Sequence, residues 1–413
     1  RRFRVHLQQL RHTEAGANVM IVTKLRIGDA NTMMAEGGIQ AADKENDSPA
    51  QHYLDVMGGG HFANVPELVE KLVMDGPDCI KWLNDLGVLF DKDKDGNMIT
   101  THGGGTSRKR MHAAADYSGA EIMRVLRDEV QNRKIPVVDF TSAIEIIKDT
   151  EGKAAGAVLQ NMETGEILIA RAKCVIIATG GAGRLHYQGL PDIQSLRCNC
   201  RRSGTCLSCR RKTSVSGYIT VSSTGVAFPS QIYGALVTEK VRSMGAQFVN
   251  VDGEAFMHPL ETRDVAASGV IREVARGNGI HTPLRDGIWL DSPMIDAIHG
   301  EGTLEKRLPG MLRMYLRYDI DMRKVPIVIY PTLHYQNGGV RVSVNGMSDV
   351  ENLYVAGEAA GGVHGRNRLM GNSLLDVIVF GRNAGQEAGK QFKNVTLSDL
   401  TLEHVDSFEK ECE

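Results

Sequence analysis

In the segment VHGRNRLMGNSLLD (363–376), a histidine and two arginines, His364, Arg366 and Arg368, stand just ahead of a helix start at NSLLD. Arginine suits carboxylates because two N–H groups of its fork meet two oxygens. A helix N-terminus suits a phosphate or an electron-rich ring edge. Three other segments carry side chains of the same kind. ALVTEKVRSMGA places Glu239 and Arg242 three apart, on one helical face. LETRDVAASGVIREV supplies Arg263 and Asp264, and TLHYQNGGV sets His334 ahead of a glycine pair. CVIIATGGAG is a buried strand running into a glycine turn, where backbone can approach a cofactor closely. Each alone also fits a surface charge pair, a structural histidine or a tight turn.

The chain of 413 residues is longer than one compact core usually holds, so two domains are expected. It is 42% hydrophobic and 24% charged, in the range of globular proteins. A formal net charge of −2 gives no global basic character for nucleic acid. No apolar run approaches the roughly 18 residues that span a bilayer. Four of the seven cysteines, Cys198, Cys200, Cys206 and Cys209, cluster among arginines in a C-x-C-x5-C-x2-C pattern that could hold zinc. The remaining three are scattered, which suits a reducing, cytoplasmic setting.

The elements that must position these residues alternate between strand and helix. ANVMIVTK (17–24) reads as a buried strand, followed by a glycine-bearing loop. SPAQHYLDVM (48–57) starts a capped helix, and residues 65–87 have helical spacing with a break near Gly76-Pro77. Residues 120–133 form an amphipathic helix. Residues 153–181 read as strands with a METGE turn between two of them. NLYVAGEAA and a helix over GNSLLDVIVFGRNAGQEAGKQF close the pattern. Strand–helix alternation with glycine-rich loops predicts an α/β dinucleotide-binding fold.

The order CVIIATGG, TEKVR, TRDV, PTLHYQNGG, VAGEAAGGVHGRNRLMGNSLLD resembles the flavoproteins of the succinate dehydrogenase/fumarate reductase family, whose superfamily includes L-aspartate oxidase. The resemblance implies a Rossmann-like FAD-binding domain, 1–225 and 326–413, with an inserted α+β capping domain, 226–325. It implies an FAD-dependent enzyme that moves a hydride between flavin and a C4 dicarboxylate, fumarate or succinate, with electrons relayed by an iron–sulfur subunit. Association with a membrane would then run through partner subunits. Arg263 matches the family's proton donor, and Arg242 and Glu239 match the pair that delivers protons to it. Thr238, His334 and Arg368 match substrate ligands. For FAD, the matching positions are Thr23, Lys24, Asn31, Thr32, Glu36, Gly37 and Gly38 in the loop TKLRIGDANTMMAEGG, then Thr179, Gly180 and Gly181, then Glu358, Ser373 and Leu374. L-aspartate oxidase is the rival activity. A zinc-dependent binding module at Cys198–Cys209 is the rival from another class.

The departures from the family pattern are informative. Its opening G-x-G-x-x-G loop and its C-terminal helical domain have no counterpart here, so the chain looks cut at both ends. Residues 192–223 do not resemble the family. Back-translated with one base removed after Pro191, however, the stretch reads PTSNHYGATADGLVL, a segment of the family's type, and restoring a base near Thr224 rejoins the frame. The cysteines are then a product of a shifted reading frame, and 192–223 is expected to be an irregular, poorly packed excursion. The substrate histidine expected in that stretch falls at Ser222. Asn31 stands where many members carry a histidine bonded covalently to flavin. An amide cannot form that bond, so acid or heat denaturation is expected to release all FAD into the supernatant. Flavin fluorescence that stays with the denatured polypeptide on a gel would overturn this expectation.

Overall fold

The computed structural model describes residues 15–181, 213–214 and 219–412. Its first strand is short, β1 (Ile21–Val22), and leads into a loop with one 3-10 turn at Asn31–Met34. Helix α1 (Pro49–Gly59) starts where Ser48 Oγ accepts from Gln51 N at 3.2 Å and proline takes the first turn. Helices α2 (Pro66–Met74) and α3 (Gly76–Asp85) break at Asp75, ahead of the expected Gly76-Pro77. Helix α4 (Ser118–Asn132) buries Ile122, Met123, Val125, Leu126 and Val130 along one stripe. Then come β2 (Val137–Val138), β3 (Thr141–Asp149), β4 (Ala154–Asn161), β5 (Ile167–Arg171) and β6 (Val175–Ile177). The β4–β5 hairpin turns at METGE, closed by Asn161 N donating to Glu166 O at 2.9 Å, with Gly165 at φ +77°.

A second group of elements follows: β7 (Ile219–Val226), the single helical turn α5 (Lys240–Ser243), β8 (Phe248–Val249), β9 (Ala255–Met257), α6 (Arg263–Glu273), β10 (Ile288–Leu290), α7 (Pro309–Leu316) and β11 (Ile327–Gln336). The five strands form one antiparallel sheet in the order β7-β11-β10-β8-β9. The chain then returns through β12 (Leu353–Val355) to the long α8 (Asn372–Gln391), which is buried on most sides.

Two parallel pairings organise the first group, β1 with β2 and β6 with β12. Each short strand runs directly into a loop at its carboxyl end, the usual place for a ligand in an open α/β sheet. The buried apolar side chains form one large cluster from residues 21–135 and 354–388 and another from 226–330. Long β11 joins them: its first half packs in the second cluster, and its far end carries His334 and Tyr335.

Residues 219–223 correct one expectation. They are part of β7, with Ser222 opposite Thr332 and the side chains of Ser222 and Ser223 fully buried, so the end of the 192–223 stretch is ordered strand. The ladder bulges there, with register shifts between Thr220 and Val221 and between Ser222 and Gly225. The cysteine cluster lies outside the described residues.

Helix α4 holds the loop that precedes it in space. Gly119 N donates to Ala35 O at 2.7 Å, and a Cβ at Gly119 would run into the Thr32 carbonyl oxygen. Glycine to alanine inside a helix ordinarily stabilises by about 1 kcal/mol. Here Gly119→Ala should push away the 31–36 loop and lower the flavin retained per purified chain, read by absorbance. Unchanged flavin with a raised melting temperature would show that the loop yields.

Candidate active site

Glu239 caps the one-turn helix α5, and its side chain is buried where the second group of elements meets the first. Its Oε1 accepts from Arg263 Nε at 2.7 Å and from Arg242 Nη2 at 2.9 Å. Arg263 opens α6; Arg242 also donates to the Pro259 carbonyl and stacks its guanidinium over Phe248, 5.3 Å from the ring centroid. Burial alone would raise the Glu239 pKa, but the two guanidiniums outweigh it and hold the carboxyl at about 2. Glu239 is therefore a carboxylate across the physiological range, and it neutralises only part of the positive charge around it.

Arg368 brings a third buried guanidinium. It lies over the Tyr335 ring, 4.5 Å from the centroid, and donates from Nη1 to Leu369 O at 3.2 Å. Burial and the nearby Arg263 push its pKa down. Tyr335 is held in turn by its hydroxyl, which donates to Asp376 Oδ2 at 2.8 Å. One residue earlier on β11, His334 is kept neutral: burial, then the charges of Arg263 and Arg368, push its pKa well down. His334 Nδ1 and Arg263 Nη1 are buried polar atoms with no partner in the protein. Unsatisfied donors and acceptors that converge on one place are what a site built to hold a polar ligand presents. Cationic surplus with a neutral hydrogen-bonding histidine suits a dianion of dicarboxylate type.

Thr238 is buried immediately before Glu239, and its Oγ1 accepts from Lys240 N at 3.3 Å. Ser222 and Ser223 lie on the neighbouring strand β7, each with a buried hydroxyl lacking a partner.

The positions expected to contact flavin fall into two places. A cavity of about 830 Å³ opens beside β1 and β6, and Thr23, Lys24, Asn31 and Thr179 are among its lining residues. Glu36, Gly37, Gly38, Glu358, Ser373 and Leu374 are not among its lining residues, and Ser373 and Leu374 lie on α8. A Cβ at Gly38 (φ +119°) would strike the His112 carbonyl oxygen, and one at Gly181 would strike Glu358 Oε1. Gly180 takes φ +72°, so this turn needs its glycines. Glu358 Oε1 also accepts from Gln336 N at 3.1 Å. Burial, reinforced by Asp116, raises the Glu36 pKa well above normal. Ser373 and Leu374 sit in the first turn of α8, which His52 braces through Asn372 Oδ1 at 3.1 Å. A large cavity at parallel strand ends together with a cradle of close-approach glycines fits an extended dinucleotide.

The sequence reading missed one loop. Residues 102–106, HGGGT, reach between the two groups of elements. Gly105 N donates to Leu260 O at 3.1 Å, and a Cβ at Gly104 would lie 3.4 Å from Glu261 O and 3.7 Å from Glu239 Oε2. Three successive glycines were the available signal.

The chain matches the FAD binding domain family over residues 10–374. It is 35% identical to a subunit of the fumarate reductase (CoM/CoB) of Methanothermobacter marburgensis, over 90% of this chain and 68% of that one. The protein belongs to the fumarate reductase and succinate dehydrogenase flavoprotein family. It is an FAD-dependent oxidoreductase of that type. It is also 34% identical to L-aspartate oxidase of Streptomyces coelicolor, over 90% of this chain and 64% of that one. Its fold superposes on E. coli quinol fumarate reductase FrdA with a TM-score of 0.89 at 26% identity, covering 99% of this chain and 72% of the other.

In this flavoprotein the shared carboxylate should dominate local stability. Removing one partner of a buried charge cluster typically costs about 3–5 kcal/mol, so Glu239→Gln should lower unfolding free energy in urea by that order at neutral pH. The sign with pH follows from the depressed pKa. The carboxylate's contribution is complete above its usual value of 4.5 and is lost as pH falls through about 2. The gap between the parent and Glu239→Gln should therefore close over that window. A gap independent of pH would show that the charge is not what holds the cluster.

Proposed function

We propose that this flavoprotein moves a hydride between FAD and a C4 dicarboxylate, fumarate or succinate, with Arg263 as the group that exchanges a proton with the substrate. The observation that carries the reading is the buried Arg242–Glu239–Arg263 chain beside Arg368 and His334. Bound FAD supplies the two-electron carrier, within residues 1–225 and 326–413, while 226–325 acts as the cap. Arg368 and His334 would hold one carboxylate and Thr238 the other, polarising the double bond between them. Arg263 Nη1, which has no partner in the protein, would face the carbon to be protonated. A guanidinium is a reluctant acid. Arg242 through Glu239 offers the route to replace the proton. Enclosure by the cap keeps water from the transfer.

Electrons would come from or go to a separate iron–sulfur protein, in keeping with relatives whose names describe them as parts of larger complexes. Among the described residues no helix is long and apolar enough to cross a membrane, so membrane association would run through such partners.

L-aspartate oxidation is the second reading, favoured by relatives that carry that name. Release of ammonia and peroxide from L-aspartate, without fumarate reduction by a reduced dye, would select it.

Arg263→Gln should keep FAD and still bind fumarate, seen as a shift in flavin absorbance, yet lose turnover by at least about 100-fold, the lower end of general-acid effects. Arg263→Lys keeps the charge and changes the fork, so it should also be slow. If Arg263→Gln retained more than about a tenth of the rate, well short of that effect, Arg263 would not be the proton donor.

A further inference from the structure

Between Glu239 and Arg242 stands a residue that the reaction does not use. Lys240 is 1% exposed, on a helix only one turn long. Its Nζ donates to the Ala115 carbonyl at 2.6 Å and lies 3.9 Å from Asp91 Oδ2. Ala115 takes a left-handed φ of +44° in the turn before α4, and its N–H donates to Asp91 Oδ1 at 3.0 Å. The same turn receives other contacts from the opposite group of elements. Gly310 and Met311 N–H donate to the Asp116 carboxylate at 3.1 and 2.8 Å, and Arg313 Nη2 donates to Tyr117 Oη at 2.6 Å. Arg307 lies 3.5 Å from Asp91. Those contacts come from α7 and its approach. Lys240 alone among them comes from the element that carries Glu239 and Arg242.

We propose that Lys240 is a positioning residue: it pins α5 to the Ala115 turn and thereby sets where the Glu239–Arg242 pair meets Arg263. The proposal rests on the proton route described above. A single helical turn has no stability of its own, so its place must come from tertiary contacts. Glu239 and, through it, Arg242 are engaged with Arg263, and Val241 packs into the apolar cluster of 226–330, so Lys240 is the polar anchor of the turn to the first group of elements. Burying an amine is costly unless it is paired, and an apolar residue would serve packing as well. Geometry matters here because a displacement of about 1 Å can cost on the order of 100-fold in rate.

The groups that face Lys240 give its seat a pH signature. Burial lowers its pKa most, Arg307 lowers it further, and Asp91 and Asp116 raise it, leaving it at about 8. On its own element the flanking charges are Glu239 and Arg242. A seated amine with a pKa below its usual 10.5 holds its proton more weakly than an unseated one. Raising pH through about 8 therefore strengthens seating.

The test compares the parent flavoprotein with Lys240→Met, which keeps the stem and removes the amine. FAD per chain, fumarate kinetics with a reduced dye between about pH 6.5 and 9.5, spanning the seated amine's titration, and amide exchange are read together. Lys240→Met is expected to hold FAD equally. Its kcat should fall about tenfold or more with little change in KM, since a proton route acts on the transition state. Exchange should rise in both 113–117 and 238–245, and the parent-to-variant ratio of kcat should grow between pH 7 and 9. A kcat within about twofold of the parent, with FAD retained, would overturn the proposal, because mispositioning acts on larger scales. A parent with no fumarate turnover would sink the proposed function instead, and exchange alone would then decide: unchanged protection at 238–245 overturns the role of Lys240. Should Lys240→Met lose FAD, Asp91→Asn decides. It removes the anion that supports the amine and should move the break in the parent's kcat profile to lower pH; an unmoved break overturns the proposal.

Discussion

The structure turns on one carboxylate shared by two buried guanidiniums. Glu239 Oε1 takes hydrogen bonds from Arg242, three residues on, and from Arg263, at the head of another helix. Without it, neighbouring cations would repel one another in a space with little water, where Coulomb terms are largest. With it, the cations are held together yet not fully neutralised. The residual positive charge is available to a ligand. Stability and the proposed ligand recognition therefore rest on the same atom.

That arrangement constrains the rest of the chain. Glu239 lies at the start of a single helical turn and Arg263 at the start of α6, so neither is fixed by a long element around it. Their places depend on contacts across the two buried clusters: the HGGGT loop against Glu261 and Glu239, the Asp116 carboxylate on the start of α7, and His61 and Asn367 on Asp264, at 2.7 and 3.1 Å. Long β11 is the rigid member. Its first half belongs to the second cluster, and its end presents His334 and Tyr335 beside Arg368. Charge is thus assembled at a junction, where movement of one part against the other would alter every distance that matters.

The proposed flavin cradle depends on a different constraint, close approach of backbone. At Gly38, Gly119 and Gly181 a methyl group would meet a carbonyl or carboxylate oxygen. These positions join the 31–38 loop, α4, the turn after β6 and Glu358 into one surface. Glu358 reaches both sides of the molecule: it accepts from Gln336 at the end of β11, and its charge is felt by Arg368. The cofactor cradle and the arginine cluster are therefore mechanically and electrostatically continuous.

Residue order alone determined the parts whose signals are local. The helices over 49–59, 66–85, 118–132 and 372–391 follow from apolar spacing, prolines at first turns and glycine stops, and the β4–β5 hairpin follows from METGE. The motif set TEKVR, TRDV, TLHYQNGG and VHGRNRLMGNSLLD was enough to name the family, because motif order survives even where pairing is unknown. Tertiary structure decided what is non-local. Nothing in the spacing says that Glu239 serves both arginines, that Tyr335 carries Arg368 on its ring, or that the HGGGT loop reaches Glu239, since each depends on segments distant in sequence. Nor does it foretell Ser222 and Ser223 buried in a bulged strand, where pairing with β11 overrides a residue pattern that reads as irregular. Lys240 is the sharpest case. By type it belongs on a solvated helix face, and only the packing of one helical turn against the Ala115 carbonyl puts its amine inside.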